Sequence, residues 1–153
     1  MAASSSCTGE ILAMRARTKS REYALQMLYQ ADIRHAAPQQ IIEEFWTTQE
    51  DVVSPDVKQF ADQLVTGTIG QLGTIDPLIA MHADNWDLKR MAVIDRNILR
   101  LGAFELLHMN DTPPKVCINE AIELAKRFGD AESGKFINGI LDAIHKKHAR
   151  TSC

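Results

Sequence analysis

The strongest helical pattern in this chain lies between residues 115 and 144. Gly129 stands where a helix-ending glycine is expected, and Ser133 is a suitable N-cap for a second helix. On either side, apolar residues recur at the spacing of one helix face, first at Ile118, Ala121, Ile122, Ala125 and Phe128, then at Phe136, Ile137, Ile140, Leu141 and Ile144. The pattern predicts a hairpin of two amphipathic helices.

The rest of the chain also follows the helical period. A first helix is expected from Thr18 or Ser20 to about Arg34, with residues 1–14 disordered before it. Ser54 and Pro55 form a strong helix start, in which a cap residue precedes proline at the first helical position. Three more helices are expected at about 41–49, at 74–81 and before His108. No segment alternates apolar and polar residues over a useful length, so a sheet is not expected.

We therefore predict an all-α fold, a compact bundle of six to seven helices in one domain over residues 15–148, with a short tail at 149–153. A length of 153 residues, with 45% hydrophobic and 24% charged residues, suits a single globular domain. No apolar run approaches the roughly 20 residues that cross a bilayer, so no membrane association is expected. Cys7, Cys117 and Cys153 are widely spaced, which favours free thiols and a cytoplasmic location.

The net charge of −3 is distributed unevenly. Residues 1–23 and 145–153 together carry a charge of +5, whereas residues 24–144 carry −8. A protein that binds nucleic acid need not be basic overall when its positive charge is gathered in one place. From charge alone, two solvated, disordered tails are the favoured interpretation.

No pattern in the sequence indicates catalysis. Residues 129–135 have the Gly-x-x-x-x-Gly-Lys spacing, but Phe136 stands where a phosphate-binding loop needs Ser or Thr. A helix also precedes this segment, whereas such a loop follows a strand. His145, His148 and Cys153 do not make a closed metal site. We expect no enzymatic activity, no cofactor and no metal.

Several segments carry a family resemblance. They are Arg21–Tyr29, Asn85-Trp86 with Arg90, Asp95–Leu101, Phe104–Leu106, the Asn-Glu-Ala-Ile-Glu-Leu-Ala-Lys run at 119–126 and the Phe-Ile-Asn-Gly run at 136–139. In order and spacing, over about residues 17–144, they resemble the NusB family of bacterial transcription antitermination factors. The resemblance implies a fold of two packed helical halves. It also implies binding to the boxA element of nascent RNA together with NusE, a small-subunit ribosomal protein, within an RNA polymerase antitermination complex, notably on ribosomal RNA operons.

The resemblance places one group of RNA-binding residues at the start of the first helix. The arginine-rich segment of the family corresponds here to Arg17, Lys19 and Arg21. Arginine offers a planar fork for phosphate oxygens and a surface on which bases stack. The lysine in the middle keeps the charge but loses the bidentate geometry. We expect all three side chains to be exposed.

A second group corresponds to the family segment at the last helical connection, which matches Ser133, Lys135 and Phe136. Amides that precede a helix also attract phosphate. Phe136 fits the apolar stripe of its own helix equally well. His82 is a further candidate, which either stacks on a base or ends a helix. Trp86 is expected to fill the core between elements, with base stacking as the alternative.

For the protein partner, the resemblance points to Tyr29, Asp95 and Glu105, on the first helix and the long middle helix. Tyrosine suits an interface because it buries a rigid ring and keeps a hydroxyl. Asp95 would offer a carboxylate to a basic ribosomal protein. The alternative is that Asp95 pairs internally near Arg96 or Arg100, and that Tyr29 only borders the core.

Two other functions remain open from the sequence. One is a helical protein-binding module related to the NusB-like part of ribosomal RNA methyltransferases, and the other is a protein-binding adaptor without RNA. The first would need a catalytic domain downstream of the helical module. Salt-sensitive binding of a short single-stranded RNA separates the second from an antitermination factor. The sequence leaves open whether the free protein is a monomer or a homodimer.

Overall fold

The structure is a computed structural model that describes residues 2–83 and 87–148, with side chains from residue 11 onward. Its seven helices are α1 (Ala2–Arg34), α2 (Pro38–Thr48), α3 (Pro55–Gly70), α4 (Leu72–His82), α5 (Val93–His108), α6 (Pro114–Phe128) and α7 (Ser133–His148), with a 3-10 turn at Leu88–Arg90. Those residues include no strand, and the all-α prediction is confirmed. Trp86 and the tail at 149–153 lie outside the described residues.

Helix α5 is the centre of the fold, because α1, α3, α4, α6 and α7 all pack against it. Glycines permit two of these close approaches. The ring of Phe104 on α5 occupies the space that a Cβ at Gly67 on α3 would take. A Cβ at Gly102 would lie 2.9 Å from Leu141 Cδ1 on α7. Larger side chains at either glycine would push α5 away from its neighbours.

The start of α1 differs from the prediction. The helix begins at Ala2, not near Thr18 or Ser20, and it includes residues that were expected to be disordered. No proline precedes Pro38, and residues 10–17 are mostly Glu, Leu, Ala, Met and Arg, which favour helix. The sequence therefore contains no stop signal within this segment.

Of the capping residues predicted at two other helix ends, Ser54 has the expected geometry and Gly129 does not. The Ser54 hydroxyl accepts a hydrogen bond from the Val57 amide at 3.4 Å, as expected for a cap before Pro55. Gly129 ends α6 with φ −97° and ψ −168°, so it does not adopt the left-handed conformation of a typical helix-ending glycine. Glycine is needed there for space, because a Cβ would lie 2.7 Å from Ser133 Oγ.

A carboxylate on α1 holds α5 in place. Arg96 Nε and Asn97 Nδ2, both on α5, each donate to Asp32 Oδ2 at 2.9 Å. Arg100 contacts the same oxygen at 3.2 Å and extends the network to Asp76 on α4. Burial acts to raise the pKa of Asp32, but the hydrogen bonds from Arg96 and Asn97 and the nearby positive charges outweigh it, so its pKa is lowered.

The described residues also bear on the sequence predictions about membrane spans and cysteines. None of the helices there has both the length and the apolar composition of a membrane span. Cys117 is a buried thiol whose Sγ donates to the backbone carbonyl oxygen of Thr112 at 3.9 Å.

Candidate nucleic-acid and partner interfaces

The three basic residues predicted at the start of the first helix lie near the middle of α1, which begins at Ala2. Two of the three are accessible. The Arg17 side chain is 43% exposed, lies 4.0 Å above the Phe60 ring and comes within 3.8 Å of Asp111. The Lys19 side chain is 51% exposed, with its ammonium 5.2 Å from the centroid of the Tyr23 ring. Aromatic rings therefore support two cations on the surface of α1.

The third residue, Arg21, is buried, which corrects the prediction that it is exposed. Its Nε donates to Glu105 Oε1 at 2.8 Å, its Nη2 donates to the other oxygen of Glu105, and its Nη1 donates to Glu120 Oε1 at 2.8 Å. Burial acts to lower the pKa of Arg21, but hydrogen bonding and the charges of both carboxylates raise it overall. An arginine with 4% exposure has no surface to offer RNA.

The same network corrects the prediction for Glu105. Its residue exposure is 1%, and both of its carboxylate oxygens accept hydrogen bonds from Arg21. The carboxylate therefore lies inside the α1–α5 contact and does not face a partner protein. Glu120 on α6 also accepts a hydrogen bond from Thr18, so the network joins three helices.

At the connection between α6 and α7, the three predicted residues have different environments. Lys135 is exposed, and Phe136 is half-buried and packs against the core. Ser133 is 2% exposed. Its hydroxyl accepts a hydrogen bond from the Asp130 amide at 3.1 Å and donates one to the Asp130 carboxylate at 3.2 Å. Ser133 therefore shapes the turn, which corrects its assignment as an RNA contact.

A pocket of about 510 Å³ is lined both by residues predicted to bind RNA and by a residue predicted to bind the partner protein. Arg90, Met91 and Asp95, at and before the start of α5, line one side, and Lys135 and Phe136 of α7 line the other. Asp95 Oδ1 is buried and has no hydrogen-bond partner within the described residues. A buried carboxylate oxygen without a donor is costly, so a rotation of this half-buried side chain that brings the oxygen to a donor on a bound molecule would be favourable.

The internal pairing considered for Asp95 is not observed. Arg96 donates to Asp32, and Arg100 donates to Asp32 and to Asp76, so both arginines are bound to other carboxylates. Asp95 lies in the first turn of α5, where a negative charge interacts favourably with the helix dipole.

The remaining predicted residues lie apart from the pocket lining. Tyr29 is 37% exposed on α1, so its ring is available to a partner. His82 ends α4 and is half-buried, with Nε2 at 3.4 Å from Nε2 of His148 at the end of α7. The structure thus places His82 in a contact between two helix ends.

One exposed aromatic residue was missed by sequence reasoning. Phe128 continues the apolar stripe of α6, which predicted a buried ring, yet it is 37% exposed. The Arg127 guanidinium lies 5.5 Å from its ring centroid. The only sequence signal was its place at the end of the stripe, directly before Gly129, where a helix often leaves the core. Lys126 and Lys135 line a shallow pocket beside this turn.

Comparison with known proteins defines the family. The model of the NusB family matches residues 18–146. The chain belongs to the NusB family. Residues 2–17, the first half of α1, precede the part that the NusB model matches.

Individual NusB relatives agree with this assignment over most of their length. The transcription antitermination protein NusB of Thermodesulfovibrio yellowstonii is 43% identical over 139 residues, covering 86% of this chain and 92% of the relative. The NusB of Myxococcus xanthus is 47% identical over 133 residues, covering 86% and 95%.

Solved NusB structures share the fold. The structure of T. maritima NusB has a TM-score of 0.80 at 41% identity, covering 88% of this chain and 93% of that one. A chain in the crystal structure of the antitermination factors NusB and NusE in complex with dsRNA has a TM-score of 0.79 at 30% identity, covering 88% and 98%. The all-α, NusB-like fold implied by the family resemblance is thus confirmed.

Proposed function

We propose that this chain is a transcription antitermination factor that binds boxA RNA together with NusE and joins the RNA polymerase antitermination complex in the cytoplasm. The observation that carries the proposal is the NusB family match over residues 18–146. A solved relative is described as a complex of NusB and NusE with dsRNA, which supports RNA and NusE as the ligands. The role is that of a binding protein without catalysis.

The proposed RNA surface consists of Arg17 and Lys19 on α1 together with Lys135 on α7. All three side chains are accessible cations on a chain with net charge −3. Arg17 is suited to phosphate because its planar guanidinium donates several hydrogen bonds. Phe128, beside the turn before α7, adds an exposed ring on which an unpaired base can stack.

The proposed NusE surface consists of Tyr29 and Asp95. Tyr29 supplies a rigid ring with a polar end. Asp95 supplies a carboxylate whose buried Oδ1 lacks a donor within the described part of the chain. An ammonium or guanidinium from a basic ribosomal protein would satisfy that oxygen with a charge-assisted hydrogen bond.

The two relatives favour this function over a module of a methyltransferase, because both are transcription antitermination proteins. The match covers 92% of one NusB relative and 95% of another, so these relatives are close in length to the matched segment.

The test is a titration of fluorescent boxA RNA with the chain, with and without its cognate NusE, at several salt concentrations. We expect NusE to strengthen binding. The double variant Arg17→Ala/Lys19→Ala should weaken it roughly tenfold and reduce the salt slope by about 0.7 for each lost phosphate contact.

Arg34→Ala is the matched control, because Arg34 lies on the same helix, is 41% exposed and stands about 25 Å further along the axis. Equal affinity for wild type and the double variant would reject the proposed RNA surface. No boxA binding with NusE present would reject the proposed function.

A further inference from the structure

The C-terminal ends of α4 and α7 meet through two histidines. His82 is the last residue of α4, and His148 is the last residue of α7. Their Nε2 atoms lie 3.4 Å apart, with ring centroids 5.5 Å apart and ring planes inclined by 75°. Since 66 residues separate the two in sequence, the packing of the helices creates this pair. Both side chains are half-buried, so solvent reaches them.

The distance between the two nitrogens matches the spacing of two ligands on one metal ion. Zn–N bonds of about 2.0–2.1 Å at the tetrahedral angle place two ligand nitrogens about 3.3–3.4 Å apart. Two neutral imidazoles at this distance either share one N–H···N hydrogen bond or, with each proton on Nδ1, direct both Nε2 lone pairs to one cation. Imidazole nitrogen is a preferred ligand of Zn²⁺, Cu²⁺ and Ni²⁺.

We propose that His82 and His148 form a two-histidine binding site for a divalent transition metal, with Zn²⁺ as the physiological candidate. Around them, the described residues provide no group of three or more His, Cys, Asp or Glu side chains at one point. Within the part of the chain that the structure describes, the two imidazoles would be the protein ligands, and water would complete the coordination of an open, exchangeable site. The ion would clip the end of α4 to the end of α7, both of which pack on α5.

This site differs from the metal cluster considered for the sequence. That cluster used His145, His148 and Cys153, which are close in sequence, whereas the structure pairs His148 with His82 on another helix. His145 and His148 are three residues apart on α7, so a pair confined to α7 is the main competitor. The two arrangements are distinguished by removing His82 or His145 separately.

The proposal is tested on the full chain after removal of metal with EDTA. Calorimetric titration with Zn²⁺, repeated with Cu²⁺, should give one ion per chain. His82→Ala and His148→Ala should each weaken binding roughly tenfold or more, because the second imidazole then no longer acts at high effective concentration. His145→Ala and the exposed His35→Ala are the matched controls and should bind as wild type does.

A second readout is independent of affinity. Zn²⁺ should raise the melting temperature of wild type and of His145→Ala, but not that of His82→Ala, since ligands that bind only the folded state stabilise it. Long-range ¹H–¹⁵N spectra should show the Nδ1–H tautomer at His82 and His148 when Zn²⁺ is present. If His82→Ala does not fold, the effect of Zn²⁺ is compared between wild type and His148→Ala, because His148 is the last residue of its helix.

Three results would overturn the proposal. The first is no binding by wild type at millimolar Zn²⁺. The second is wild-type affinity in His82→Ala. The third is loss of binding in His145→Ala with retention in His82→Ala, which would assign the ion to α7 alone.

Discussion

Arg21 on α1 and Glu105 on α5 form a buried, bidentate ion pair at the centre of the fold. The arginine Nε and Nη2 each donate to one oxygen of the carboxylate. The side chains are 5% and 2% exposed. The pair joins a residue predicted to bind RNA to a residue predicted to bind NusE, and it removes both from the surface. Its role is to fix α1, which carries Arg17 and Lys19, relative to α5.

The first prediction follows from this pair. Glu105→Gln should lower the free energy of unfolding by about 3 kcal/mol, because it leaves the buried Arg21 charge without its main partner. Urea denaturation measures the change. Glu123→Gln is the control, since Glu123 is 57% exposed in its pair with Lys126 and should change stability by under about 1 kcal/mol. Equal stability of Glu105→Gln and wild type would contradict the structural role.

The second prediction separates the two neighbours on α7. Lys135→Ala should lower boxA affinity while leaving the free energy of unfolding nearly unchanged, because this side chain is exposed. Phe136→Ala should cost about 2 kcal/mol of stability, roughly half of the value for a fully buried ring. RNA titration and urea denaturation of both variants measure these effects. Normal RNA affinity of Lys135→Ala in the presence of NusE would remove α7 from the RNA surface.

The third prediction concerns Asp95 and NusE. Asp95→Lys should weaken NusE binding by several kcal/mol, because it places two positive charges together in the interface. Asp95→Ala should change the stability of the free chain by under about 1 kcal/mol, since the described residues provide no hydrogen-bond donor to Oδ1 and mainly the helix-dipole interaction is lost. Calorimetric titration with NusE measures the first effect, after circular dichroism has shown that both variants fold. Wild-type affinity in Asp95→Lys would place NusE elsewhere.

The fourth prediction concerns acid stability. The pKa of Asp32 is lower in the folded chain than in the unfolded chain, so unfolding takes up a proton when the pH falls. Its contribution to stability is therefore complete above the ordinary aspartate pKa of about 3.9 and is lost as the pH falls through the folded value. Urea denaturation from neutral pH to acid should show the gap between wild type and Asp32→Asn closing in this range.

Asp142→Asn is the control for the fourth prediction, because Asp142 is 45% exposed in its pair with Lys146. Its gap to wild type should be small at every pH. A gap for Asp32→Asn that stays constant down to strong acid would show that the carboxylate charge does not contribute to folding.

The helices were predictable because their signals are local. Apolar spacing and the Ser54 cap before Pro55 each depend on a few neighbouring residues, and the structure has helices at those places. The environment of Arg21 was not predictable in the same way. An arginine on a helix is usually solvated, and its burial here depends on Glu105 and Glu120, which are 84 and 99 residues away.

The candidate site was only partly predictable for the same reason. Lys135 and Asp95 were assigned to different ligands from their places in the sequence, and the fold brings both to the lining of one pocket. Ser133 was identified as a cap-like residue, but its bond to Asp130 depends on the geometry of the turn. Phe128 was expected to be buried because periodicity does not show where a helix leaves the core.

The pocket between α5 and α7 has a thermodynamic consequence under the proposed function. NusE would bind Asp95 on one side of it, and RNA would bind Lys135 on the other. Any coupling between the two ligands through this shared lining must be reciprocal, because it is a single free energy that links both binding events. Whatever factor NusE adds to the affinity for RNA, RNA must add to the affinity for NusE, so neither order of assembly is privileged at equilibrium.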